Sequence, residues 1–133
     1  LLESYCKTIQ VEALTALKMA KNEIFPACVS YLKEISQASY SIRDSKGKNK
    51  FLIKEVKNIS DLVSKMKEKI EILDEMIVKA RSKKLTMLQS AIIWRDNVLV
   101  AMKDLRKYVD SLETVVGEKY WPMPNYIDLL YGI

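Results

Sequence analysis

The spacing of apolar positions along the chain predicts three long helices. The most regular pattern lies in the middle. Leu52, Val56, Ile59, Val63, Met66, Ile70, Leu73, Ile77 and Ala80 alternate steps of four and three, which keeps one side chain per turn on a single seam. Leu62 and Met76 add a weaker flanking line, so the apolar face is wide enough for a bundle core rather than a two-stranded coil. This helix is expected over about Phe51 to Arg81. A similar seam follows through Leu88, Ala91, Arg95, Val98, Met102, Leu105, Val109, Leu112 and Val116. Its one irregular member is Arg95, a charge where the pattern wants a dry side chain. Thr86 and Gln89 have capping-box spacing and start this helix. Gly117 stands just beyond its last turn, where a C-terminal cap is expected.

The first segment, about Glu3 to Arg43, carries Ile9, Ala13, Ala16, Ala20, Ile24, Ala27, Tyr31, Ile35, Ala38 and Ile42 on one face. Their mean spacing is about 3.7 residues, that of a nearly straight helix. Pro26 removes a backbone donor and crowds the carbonyl of Asn22. One helix, bent near Asn22 to Pro26 and keeping its phase across the proline, is therefore expected. Ser45 to Lys50, with Gly47, reads as the first turn. Short turns make neighbouring helices antiparallel. The predicted fold is thus all-α: an antiparallel bundle of three long helices, the first one longest. At 1.5 Å per residue that helix reaches roughly 60 Å against about 45 Å for the other two. The excess, Leu1 to about Leu14, is expected to overhang as the lead-in from an upstream domain.

Behind Gly117 the pattern ends. Pro122 and Pro124 force extended backbone, and Asn125 can cap a short fourth helix from Tyr126, with Asp128 near its positive end. Tyr120, Trp121, Met123, Ile127, Leu129, Leu130 and Tyr131 are too apolar a group to hang in water. The Trp121 to Leu130 tail must cover a groove of the bundle or dock on another chain.

Composition agrees with long helices. The 133 residues hold three Gly and three Pro, with 49% hydrophobic and 29% charged residues, the signature of one folded domain. No apolar run is long enough for a membrane span and no leader pattern is visible. Cys6 and Cys28, on one helix, would stand roughly 33 Å apart and cannot pair. They read as reduced, packed thiols of a cytoplasmic protein. The formal net charge is +5, but its signs alternate, as in Asp61 with Lys65 and Glu75 with Lys79. The denser groups, Lys46, Lys48 and Lys50, then Arg81, Lys83 and Lys84, fall at turns, and no nucleic-acid recognition motif accompanies them.

Candidate chemistry is sparse. The chain has no His, so imidazole-based metal and acid–base sites are absent. Glu71, Asp74 and Glu75 lie off the seam and read as a solvated face. No glycine-rich phosphate loop occurs. No catalytic, cofactor-binding or metal-binding residue is assigned. Arg95 has two readings. Its stem lies on the seam with its head in water, or it forms a buried ion pair with Glu12 or Glu34 that fixes helix register.

Specific strings carry a family resemblance. Trp94-Arg95-Asp96, Ala101-Met102, Leu105-Arg106, Asp110-x-Leu112-Glu113 and Trp121-Pro122-x-Pro124-x-Tyr126-x-x-Leu129-Leu130 resemble the C-terminal end of a type III glutamine synthetase. Tyr5-x-Lys7-Thr8-Ile9-x-x-Glu12-Ala13, Met19-Ala20-Lys21 and Ile24-x-Pro26-Ala27 resemble the helix that follows the catalytic domain there. Residues 36 to 92 match only in helical character, and many relatives have proline in the place of Val100. The resemblance implies a parent that joins ammonia to glutamate with ATP and Mg or Mn in nitrogen assimilation, built as two stacked hexameric rings. Its ligand-binding motifs belong to upstream domains and are not in this chain. The expected role is then a non-catalytic C-terminal domain, partnered by its own catalytic domain and neighbouring subunits. This agrees with a chain that begins at Leu1 inside helical pattern, as a piece of a longer protein. The alternative is a free-standing helical interaction module. A third possibility, effector binding within the same parent, has no polar pocket signature behind it.

Overall fold

A computed structural model describes residues 1–42 and 48–122 of the chain, the side chains of 48 and 49 excepted. The predicted first turn with Gly47 and its lysines, and the tail from Met123 with the helix expected at Tyr126, lie outside the described residues. Within them the chain is all-helical, with three long helices and one short 3₁₀ turn. Helix α1 covers residues 2–41, α2 covers Lys48–Ala80 and α3 covers residues 87–115; the 3₁₀ turn is Glu118–Tyr120.

Helix α2 follows its pattern. Ile59, Val63, Met66, Ile70, Leu73, Ile77 and Ala80 are all buried, and Leu52, Val56, Leu62 and Met76 are half-buried beside them. Glu71 and Glu75 are exposed and Asp74 is half-buried. Lys65 reaches Glu68 at 3.5 Å rather than Asp61.

Helix α1 departs from its predicted phase. It is continuous, but a π turn over Ala20–Ile24 separates Leu2–Met19 from Phe25–Ser41. The Phe25 amide donates to the Ala20 carbonyl, five residues back. The irregularity expected at Pro26 takes this form: the wider turn precedes the proline, and the helix resumes with Pro26 in its first turn, where a missing donor costs least. The widened turn takes up extra chain, so the buried face advances by one residue beyond it. Cys28 and Ser39 are buried, whereas the predicted Ala27 is half-buried and Ala38 is exposed.

Helix α3 repeats the device. Met87–Ile93 and Leu99–Val115 flank a π turn over Trp94–Val98. The core side of this helix is Ala91, Trp94, Val98, Ala101, Leu105, Leu112 and Val116. Trp94 is 2% exposed, while Leu88 is 62% exposed and Arg95 lies in water. The predicted seam therefore ran one residue off at Arg95. Two adjacent residues compete for the same margin of the core face, and removing an indole from water gains far more than removing a guanidinium, which costs.

The expected overhang of residues 1–14 is also overturned. Cys6, Ile9 and Ala13 are buried. Glu3, Cys6, Lys7 and Gln10 share an open depression with the 80–87 connection and Trp94. The apolar face of α1 begins at Cys6, so the bundle must begin there too. The excess length of α1 falls at its other end, where residues 118–121 and the start of α2 lie beside it. The capping box forms as predicted: Thr86 Oγ1 accepts from the Gln89 amide at 3.1 Å and Gln89 Oε1 from the Thr86 amide at 2.9 Å. Ser90 Oγ donates to the Ala80 carbonyl at 2.6 Å, which satisfies one of the open carbonyls at the end of α2.

Two outcomes test this packing. Trp94→Ala lowers stability by about 3–5 kcal/mol, whereas Arg95→Ala stays within about 0.5 kcal/mol of the parent chain. Urea unfolding of both variants checks it, and comparable losses would return Arg95 to the core. Burial also pushes the Cys28 thiol up from 9.0 to about 11. The folded thiol stays neutral where the unfolded one ionises, so its contribution is present below about pH 9 and is lost as pH rises towards about 11. Unfolding free energy should fall less steeply over that window in Cys28→Ala than in the parent chain.

Candidate functional site

Among the described residues no group of three or more His, Cys, Asp or Glu side chains converges to hold a metal. Cys6 and Cys28 are both free and buried, and burial keeps the Cys28 thiol protonated, so it is no nucleophile at neutral pH. What the fold does position are two surfaces, one at each end of the bundle.

The first is a latch that fixes the segment leading to the tail. Helix α3 ends at Val116, whose extended backbone turns the chain across α1. Gly117 follows, but not in the left-handed conformation of a usual cap; its φ is −55°. Space at Gly117 is tight. A Cβ at Gly117 would stand 3.1 Å from Cε1 of Tyr31. That close approach brings the Tyr120 ring edge-on to Tyr31, with centroids 5.6 Å apart and planes at 62°, a favourable aromatic geometry. Beside it Lys119 Nζ lies 3.3 Å from Glu34 Oε1 and 5.0 Å from the Tyr120 ring. A hydrogen bond to Glu34 holds both Lys119 and the Tyr120 phenol above their ordinary ranges. The pair is solvent-exposed, so it sets register more than it stabilises.

The second surface lies at the opposite end, on α1 and α3. Arg95 does not reach Glu12 or Glu34. It forks onto its neighbour Asp96, Nε to Oδ1 at 2.7 Å and Nη2 to Oδ2 at 3.2 Å. This raises the arginine and holds the aspartate below the usual carboxylate range. Glu34 has Lys119 instead. Around the fork, Leu2, Tyr5, Leu88 and Ile92 are exposed.

Sequence reasoning missed the latch and the burial of Trp94. A signal for the second was present: Trp94 is three residues after Ala91 and four before Val98, as regular a spacing as the one through Arg95. The latch joins residues 85 apart in the chain, and no local period encodes it.

These two surfaces belong to a chain with known relatives. A profile of the glutamine synthetase C-terminal domain matches residues 1–43. The chain is 29% identical to a glutamine synthetase of Butyrivibrio fibrisolvens, over its whole length and 19% of the relative. It is 30% identical to a glutamine synthetase of Bacteroides fragilis, over 98% of its length and 18% of the relative. The chain is similar to glutamine synthetases over its whole length. A type-3 glutamine synthetase of Dictyostelium discoideum, 27% identical over 98% of the chain and 18% of its own length, agrees with the resemblance read from the Trp94-Arg95-Asp96 and Trp121-Pro122 strings. The chain spans less than a fifth of the length of these curated relatives.

Replacing Gly117 with Val should drive the Tyr31 and Tyr120 rings apart, at a cost of roughly 1–3 kcal/mol for an overpacked contact. Limited trypsin digestion with peptide mapping reads it locally: cleavage after Lys119 quickens in the variant, and an unchanged rate there would mean that the latch does not hold this segment.

Proposed function

We propose that this chain is a non-catalytic, C-terminal helical domain of a larger cytoplasmic glutamine synthetase, which ligates ammonia to glutamate with ATP and Mg or Mn. Its role is in subunit packing or in positioning the catalytic domain, within an assembly of two stacked hexameric rings. The observation that carries this reading is the alignment of the entire chain with less than a fifth of its relatives' length. The match of residues 1–43 to a C-terminal domain gives it a direction.

Contacts support the finer architecture of an antiparallel bundle. The first half of α1 meets the start of α3 and the second half meets residues 118–120, so α1 and α3 run the same way and α2 returns between them. Such a bundle is a rigid strut, and the Tyr31–Tyr120 contact fixes the segment that leads to the tail. Two prolines in that tail, Pro122 and Pro124, reduce the freedom lost when its large side chains dock.

Assay of the chain alone and of the full-length protein tests the reading. The expected result is glutamine formation by the full-length protein and none by the chain. Removing residues 117–133 from the full-length protein should change its oligomeric state by light scattering or its kinetics. Glutamine formation by the isolated chain, or a truncation that alters neither assembly nor rate, would count against the proposal.

A further inference from the structure

The surface at the start of α1 and α3 gathers four exposed apolar side chains around a charged pair. Leu88 is 62% exposed, Ile92 41%, Tyr5 40% and Leu2 39%. Leu88, Ile92 and Arg95 follow one another at steps of four and three, hence on one side of α3. Residues 2–19 of α1 pack against residues 87–98 of α3, so the α1 row adjoins the α3 row. The charges set in this face are already matched: Arg95 and Asp96 bind each other through two hydrogen bonds. A partner covering them need not bring a counter-charge, which removes the usual penalty for burying a lone ion. Apolar rows flanking a self-neutralised fork mark a docking surface rather than a wetted one.

We propose that this face docks the part of the same subunit that precedes Leu1. The inference rests on the reading under Proposed function and adds the surface and its occupant. Three observations select that occupant. The relatives are more than five times as long as their match to this chain, so a parent of that length has ample chain to cover the face. The profile matched by residues 1–43 is a C-terminal domain, which places most of that length before Leu1. Leu1 itself stands one turn from Tyr5, at the edge of the face, so a segment entering there meets it through a very short connection. Docking of a tethered neighbour is favoured over docking of a separate molecule, because the effective concentration is high and little loop entropy is lost.

The test uses the full-length protein. Ile92 is replaced by the photoreactive residue benzoylphenylalanine, and in a second variant Val78, 68% exposed on α2, is replaced in the same way as a control. After irradiation the adducts are mapped by mass spectrometry and sized on a denaturing gel. The expected result joins position 92 to residues preceding Leu1, at the mass of one subunit, with few adducts from position 78. Adducts at the mass of two subunits, adducts to residues 123–133, or a yield at position 92 no greater than at 78 each overturn the proposal. A second measurement needs no substitution. In hydroxyl-radical footprinting of the unaltered full-length protein, Leu88 should be oxidised several-fold more slowly than Val78 after correction for intrinsic reactivity; equal rates overturn the proposal. A gene with no substantial coding region before Leu1 would overturn this inference and the proposed function together, whereas an upstream region that crosslinks elsewhere overturns this inference alone.

Discussion

Burying the stripe from Ile59 to Ala80 on α2 requires two covering helices, because its apolar face is widened by Leu62 and Met76 beyond what one neighbour can occlude. The other helices are fitted to that demand. Where α2 supplies Ile59, Met66, Ile70, Leu73 and Ile77, α1 supplies Ala13 and Ala20 and α3 supplies Ala91 and Ala101. Small residues facing large ones let helices approach closely without voids. Trp94 is the bulkiest side chain that α3 buries, beside Val98, Leu105 and Leu112, and it is seated at the end of the bundle beside Cys6 and Ala80.

Two π turns reconcile these covering helices with a regular partner. An α-helix with a strict three-four pattern drifts slowly relative to its neighbours. Helix α2 holds its seam over its whole length without interruption, so adjustment falls on α1 and α3. Each contains one widened turn, Ala20–Ile24 and Trp94–Val98; beyond it the buried face of α1 advances by one residue, while α3 keeps Val98, Leu105, Leu112 and Val116 in the core. The proline in α1 has a natural place behind such a turn. Helix α3 has no proline in the corresponding stretch, so packing rather than backbone chemistry accounts for its widened turn.

That difference explains how much of the fold was readable beforehand. The α2 seam was legible residue by residue, because periodicity alone decides it. The Thr86–Gln89 cap was legible because its two hydrogen bonds are local. On α1 and α3 most of the face was legible: Ile9, Ala13, Ala20 and Ile24 on one and Ala91, Val98, Leu105, Leu112 and Val116 on the other are buried. The misses are Cys28 for Ala27 and Ser39 for Ala38, one residue on beyond the α1 π turn, and Trp94 for Arg95, where two neighbours compete for the edge of the face. Length also misled. Counting residues placed the excess of α1 at its start, but a buried stripe begins where its first apolar residue is, at Cys6. Gly117 was legible as the end of a helix but not for its setting, since the ring of Tyr31 that would crowd a Cβ arrives from 86 positions away.

The two ends of the bundle are finished by different contacts. At one end Tyr120 lies on Tyr31, Lys119 holds Glu34 and Trp121 is half-buried against the core, while Tyr40 and Phe51 remain exposed. At the other, the capping box and the Ser90 hydroxyl satisfy the backbone, yet Leu2, Tyr5, Leu88 and Ile92 keep apolar surface in water. Backbone satisfaction without side-chain cover is an asymmetry that local folding leaves in place, because capping needs only neighbouring residues while apolar cover needs a second layer. A three-helix bundle of this size has no further layer of its own among the described residues. The Arg95–Asp96 fork gives the same face a neutral polar centre, so whatever covers it gains burial of the apolar rows without having to compensate an unpaired charge.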